Sequence, residues 1–205
     1  MAITLNGNGV VTGLTTIPDG IVTVDDLSTT GTASSSTFLS GTGAWAEAGG
    51  GKILQVVATD FSTTFSSTSP ETFTDISGFS RTITCSATSS KVLVMVSVNY
   101  KGPDSSDTFL RLVRDSTAIA IGDAAGSRTR VWFELDRYTS TYTHGGVATL
   151  NYVDSPASVS ELNYKLQIGG TSDSSQIYFN RSSGDGDTAG QSRGYSSIIC
   201  MEIGA

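Results

Sequence analysis

From Lys52 onward, hydrophobic residues recur at every second position rather than every third or fourth. The stretch "KVLVMVSVNY" puts Val92, Val94, Val96, Val98 and Tyr100 on one face of an extended chain, with Leu93 and Met95 on the other. That is the pattern of a central strand buried on both sides at its start. "RVWFELD" sets Val131, Phe133 and Leu135 against Trp132, Glu134 and Asp136, and "LNYKLQI" sets Leu162, Tyr164, Leu166 and Ile168 against Asn163, Lys165 and Gln167. Both read as half-buried strands.

Further runs of the same kind are "KILQVVAT" (52–59), "ETFTDI" (71–76), "SRTITC" (80–85), "DTFLRLVRD" (107–115), "TAIAIG" (117–122), "GVATLNYVD" (146–154), "QIYFNR" (176–181) and "YSSIICMEI" (195–203). Turn clusters such as "KGPDSSD", "GDAAGS" and "SSGDGDTAG" separate them. Ten or eleven short strands at this spacing, with no helical period between them, predict an all-β fold. The expected architecture is an antiparallel β-sandwich or jelly roll over residues 52–205.

Residues 1–51 differ in kind, since 25 of these 51 residues are Gly, Ser or Thr. Single apolar residues recur there, and "GVVT" at 9–12 returns as "GIVT" eleven residues later, a hint of a repeat. So glycine-rich a segment cannot bury enough apolar surface by itself to offset an ordering entropy of roughly 1–2 kcal/mol per residue. Fully extended it would reach about 170 Å, against some tens of ångströms for a compact sandwich. The predicted organisation is an extended N-terminal arm (1–30), a Gly/Ser-rich linker (31–51) and a β-sandwich head (52–205).

Charge removes several functions. The net charge is −7, of which Asp19, Asp25, Asp26 and Glu47 supply −4 before the first basic residue, Lys52. No Lys/Arg cluster offers the footprint of a nucleic-acid binder. No apolar run approaches the 18 or so residues that span a bilayer, and "MAITLNGNGVV" lacks the basic start and apolar run of a signal peptide. A soluble protein made in a cytoplasm, without membrane insertion, is expected. Cys85 and Cys200 lie inside apolar runs and read as reduced core residues rather than a bridge.

Catalytic patterns fail one by one. His144 is the sole histidine, and no Gly-x-Ser-x-Gly elbow is present, because "GYSSI" and "GFSRT" both miss the fifth position. "GGGKI" lacks the spacing and the Ser or Thr of a phosphate loop, and the Gly-x-Gly-x-x-Ala matches "GTGAWA" and "GDGDTA" are not followed by a helix. Asp185 and Asp187 offer two carboxylates to calcium, but Ser196 stands where an EF-hand-like loop needs a glutamate. Asn180-Arg181-Ser182 is a formal glycosylation sequon. No cofactor, no metal and no enzymatic activity are expected.

Surface recognition remains. In "DRYTSTYTHGG", Tyr138, Ser140, Tyr142 and His144 alternate beside Arg137. Tyr and Arg bring large contact area and planar hydrogen bonding, so Arg137, Tyr138, Tyr142 and His144 are candidate contacts for a sugar or a protein loop. Packing of the tyrosines at a subunit seam or on the sheet stays open as an alternative.

The run "GTASSSTFLSGTGAWAEAGGG" resembles the linker that precedes the C-terminal head in tail- and collar-fibre proteins of tailed bacteriophages, with Phe38, Leu39, Gly41, Gly43 and Trp45 forming its Phe-Leu-x-Gly-x-Gly-x-Trp pattern. The following "FTDISG" and "SSKVLVMV" look like the opening of such heads, and "GIVTVDDL" is similar to their short shaft repeats. The motifs reach to about residue 100, and the second half agrees in style alone.

The resemblance implies a virion structural protein with a trimeric jelly-roll head. Residues 1–51 would attach to a phage tail, baseplate or capsid protein, and the head would contact a host cell-surface glycan or protein. Phe38, Leu39 and Trp45 become candidates to plug the threefold axis at the junction of arm and head. Two alternatives stay open: a capsid or tail decoration protein that binds no receptor, and a glycan depolymerase, for which no facing carboxylate pair is evident.

Overall fold

The structure is a computed structural model that describes residues 32, 34, 37–39, 44–47, 52–68, 71–102, 107–135, 145–171 and 176–204. The chain divides into two units, Met1–Gly50 and Gly51–Ala205. In the first, β1 (Thr37–Leu39) and β2 (Trp45–Glu47) pair as an antiparallel hairpin. The second contains β3 (Ile53–Phe61), β4 (Phe65–Thr68), β5 (Thr74–Thr84), β6 (Lys91–Lys101), β7 (Thr108–Arg114), β8 (Thr117–Ile119) and β9 (Phe133–Leu135), followed by β10 (Gly145–Asp154), β11 (Glu161–Gly170), β12 (Gln176–Phe179) and β13 (Ser196–Ile203). All regular elements among the described residues are strands, and every pairing is antiparallel.

The second unit is a two-sheet sandwich with jelly-roll strand order. One sheet runs β3-β13-β6-β10, with β12 continuing the line of β13 along β6 and β4 continuing that of β3. The other runs β5-β11-β7, completed by β8 and β9 on successive stretches of β7. Along the chain β3, β6, β10 and β13 fall in the first sheet and β5, β7, β8/β9 and β11 in the second, the wrapped order that defines a jelly roll. The alternation read from sequence holds in both: Val92, Val94, Val96, Val98 and Tyr100 of β6 face Leu162, Tyr164, Leu166 and Ile168 of β11 across a buried core. Phe61 and Phe79 meet edge to face at 5.3 Å between ring centroids, and both cysteines are buried thiols in the same core.

Four sequence expectations need correction. "ETFTDI" and "SRTITC" are one strand, β5, interrupted where it runs from Asp75 to Ser80 while its partner advances only from Lys165 to Gln167. Gly78, at φ +78°, makes that excursion and lets Ile76 and Phe79 turn into the core. "RVWFELD" shrinks to Phe133–Leu135, because β7 offers only Thr108 to Leu110 for pairing there. Phe65–Thr68 is a strand that its "FSST" composition conceals. Finally, Leu93 and Met95 are half-exposed, so β6 is central in its sheet yet buried on one face.

The strand ends give the sandwich a polarity. At one end lie Ile53, Lys91, Asp154, Glu161 and Ile203, where Gly204 N–H donates to the Lys52 carbonyl at 2.6 Å. At the other, about 33 Å away along β6, lie Lys101, Thr108, Leu135, Gly145, Gly170 and Gln176. The connection between Leu135 and Gly145, which carries Arg137, Tyr138, Tyr142 and His144, thus starts and ends opposite the point where the second unit begins.

Candidate functional site

The two outer faces of the sandwich differ sharply in chemistry. On the β5-β11-β7 sheet the outward side chains form a polar network. Asp75 accepts from Lys165 Nζ at 2.7 Å and Gln167 Nε2 at 2.6 Å, and Arg111 donates to Gln167 Oε1 at 2.8 Å while stacking 3.9 Å over the Phe73 ring. The bond from Lys165, with that from Gln167, holds the Asp75 carboxyl below its usual range. This is a face made for water.

The outward face of the β3-β13-β6-β10 sheet is apolar over its half nearest Lys52. Strand register aligns Val56, Met201, Leu93 and Val153 in one row across the four strands, and Ala58, Ile199, Met95 and Asn151 in the next. Val56 is 55% exposed, Leu54 54% and Val153 49%. Toward the far end the rows turn polar, with Asp60, Ser197, Ser97 and Thr149 aligned. Where the two regimes meet, the small Ser97 and Ser197 beside Met95 and Ile199 leave a shallow depression of about 300 Å³. Val147 and Val153 stand on β10, which pairs only with β6 among the described residues, so the apolar face continues to a sheet edge. Exposed Val and half-exposed Leu, Ile and Met side chains in adjacent rows mark a surface suited to covering by protein.

A second feature lies between β12 and β13. Asn180 starts it at φ +57°, buried, with its Nδ2 donating to the carbonyls of Phe61 (2.7 Å) and Thr63 (3.0 Å) and its Oδ1 accepting from Ser196. The sequon asparagine is therefore a structural anchor whose amide nitrogen is already spent on the bend between β3 and β4. Gly194 N–H donates to the Asn180 carbonyl, Arg181 bridges Arg193, and Ser182 N–H donates to the Ser192 carbonyl, which makes a short stem. At its tip, Asp185 takes Arg181 on one oxygen (2.9 Å) and Arg193 on the other (2.7 Å). A carboxylate so neutralised is a poor calcium ligand, and the described residues contain no cluster of metal-ligating side chains. The tip lines an open polar cavity of about 240 Å³.

The sequence-derived residues divide between described and undescribed chain. Arg137, Tyr138, Tyr142 and His144 lie outside the described residues. Leu39 and Trp45 are brought together as direct cross-strand partners in the β1–β2 hairpin, and Phe38 holds the adjacent register position opposite Ala46. Leu39 is 39% exposed and Trp45 half-buried. The apolar outer face was missed by sequence reading because alternation separates inward from outward positions without saying whether the outward set meets water. Its signal was nevertheless present, in the unbroken "VLVMV" of β6 and "IICM" of β13.

No family profile matches this chain. No curated protein matches it either. Among solved structures, three with partial backbone likeness are from infectious bursal disease virus. One, of the Gx strain, is 13% identical over 79% of this chain and 34% of that chain, at a TM-score of 0.39. A mutant VP2 protein in derived T=1 particles is 14% identical over 78% and 39% (TM-score 0.32), and a VP2 subviral particle 14% identical over 79% and 40% (TM-score 0.30). The chain spans about a third to two-fifths of the length of these proteins. The jelly-roll assignment rests on the strand order itself.

Proposed function

We propose that the protein is a virion component, the head of a tailed-phage fibre, in which three copies pack about an axis through the outer faces of their β3-β13-β6-β10 sheets. The observation that carries this reading is the contrast between the two outer faces. Val56 and Val153 exposed beside half-exposed Met201 and Leu93 in one row leave apolar surface in water on a monomer, whereas a subunit seam buries it at roughly 25 cal/mol per Å². The Phe38, Leu39, Gly41, Gly43, Trp45 pattern and the "SSKVLVMV" strand supply the resemblance to fibres. Closed symmetry places like surfaces around one axis and lets three arms order one another.

The polarity of the sandwich supports the rest of this reading. Residues 1–51 attach to the tail, baseplate or capsid, and the end bearing Lys101, Thr108 and Gly145 points outward, so that the connection carrying Arg137, Tyr138, Tyr142 and His144 meets a host glycan or protein. The protein acts by binding, not by catalysis. Particles assembled without this chain test the reading: they are expected to be intact but unable to adsorb. Fragile particles that still adsorb would contradict it and favour a decoration role, and loss of a host capsule on contact with the pure protein would favour a depolymerase.

A further inference from the structure

We infer that the cavity at the tip of the 180–194 segment is a binding site for a neutral sugar ring. The inference rests on the host-contact reading of the head and gives it a ligand class.

The site is built rather than incidental. Asp185, held at both oxygens by Arg181 and Arg193, locks the tip to its stem, and Arg181 is itself stacked 4.5 Å over the Tyr178 ring of β12. Gln191 folds back across the loop so that its Oε1 accepts from Gly186 N–H at 2.6 Å. Gly184 permits this approach, because a Cβ there would lie 2.7 Å from Gln191 Nε2. Thr188 N–H donates to the Gly186 carbonyl and Gln191 N–H to that of Thr188, which closes the turn. The polar groups are thus positioned before any ligand arrives, which lowers the ordering cost of binding.

The lining then selects the ligand. Asp187, Thr188, Gln191, Ser192 and Arg193 offer donors and acceptors around the space, with little apolar wall. Arg181 and Arg193 both pair with Asp185, and with Asp187 the loop carries two carboxylates against two guanidiniums, so it has no net charge to select an anion or a cation. Its volume, about 240 Å³, falls below the roughly 300–1,000 Å³ of clefts that bury drug-sized ligands. A small, uncharged ligand dense in hydroxyls satisfies all three conditions. One such ring exchanges water hydrogen bonds for protein ones and binds with a Kd on the order of 1 mM, and several copies in one assembly convert this into avidity.

Saturation-transfer NMR on the full chain with glucose, galactose, mannose and N-acetylglucosamine, each separately, tests the assignment, with sedimentation of the same samples read alongside. Transfer to at least one sugar is expected, with affinity falling about tenfold or more in both Arg193→Gln and Asp187→Asn. Both positions are exposed and lie outside the strands, so the sandwich and the sedimenting mass should be unchanged. No transfer from any of the four sugars, undiminished binding in both variants, or tighter binding of inorganic phosphate or calcium ion at this loop would overturn it. A trimeric mass with no sugar binding removes this inference and leaves the fibre reading standing, whereas a monomeric mass removes the latter.

Discussion

Glu202 is the sharpest departure from the hydrophobic pattern, a carboxylate at an inward position of β13, 1% exposed. Burial alone would push its pKa up, but Ser86 N–H (2.7 Å), Ser86 Oγ (2.6 Å), Ser90 Oγ (2.8 Å) and Gln55 Nε2 (2.7 Å) all donate to it, and the balance lowers it to about 2. It ties β13 to β3 and to the turn between β5 and β6. Because the folded pKa lies below the ordinary value of 4.5, the stabilisation is complete above about pH 4.5 and disappears as pH falls through about 2. Glu202→Gln should cost about 2–3 kcal/mol at pH 7 and flatten the acid limb of a Tm-versus-pH curve; a variant whose melting matches the parent at both pH 7 and pH 2 would refute this. Asp154 does a similar task between the sheets, accepting from Arg114 and from the Tyr164 hydroxyl, each at 2.6 Å. Burial, reinforced by the bond to Asp154, pushes the Tyr164 pKa up. Neither cluster is visible in the sequence, since Ser86 stands 116 positions from Glu202 and only the fold makes them neighbours.

Elements were far more legible than these anchors. Strict alternation located β6, β10, β11 and β13 almost to the residue, because a half-buried sheet imposes period two on every strand it contains. What failed was the chain where alternation breaks. β5 looked like two strands, since the detour around Gly78 shifts its register against β11, and β8 stops early because Ala120 adopts φ +54°. Gly78→Val forces a β-branched residue into that left-handed conformation, and a loss of about 1–3 kcal/mol is expected by urea denaturation. An unchanged midpoint would mean that the excursion can rearrange. The candidate site was less legible than the strands, because the "SSGDGDTAG" cluster reads as a polar turn, while its cavity depends on Arg193 and Gln191 closing on it from the returning chain.

The two outer faces of the second unit differ, one polar and the other apolar over its half nearest Lys52. Lys165, Asp75, Gln167 and Arg111 hold the first in a charged network, and the second presents aliphatic rows near the end where residue 52 enters. In the proposed trimer that second face forms the seam between copies. Leu93→Glu would set a carboxylate in the middle of the seam, where desolvation without a partner is costly, yet on a monomer surface that already tolerates exposure. Sedimentation of the full chain is the most direct measurement. The parent is expected at three times the 21.3 kDa chain mass, and Leu93→Glu and Val153→Glu at a single chain mass with unchanged far-UV circular dichroism. A parent protein that sediments as a monomer, or variants that remain trimeric, would contradict it.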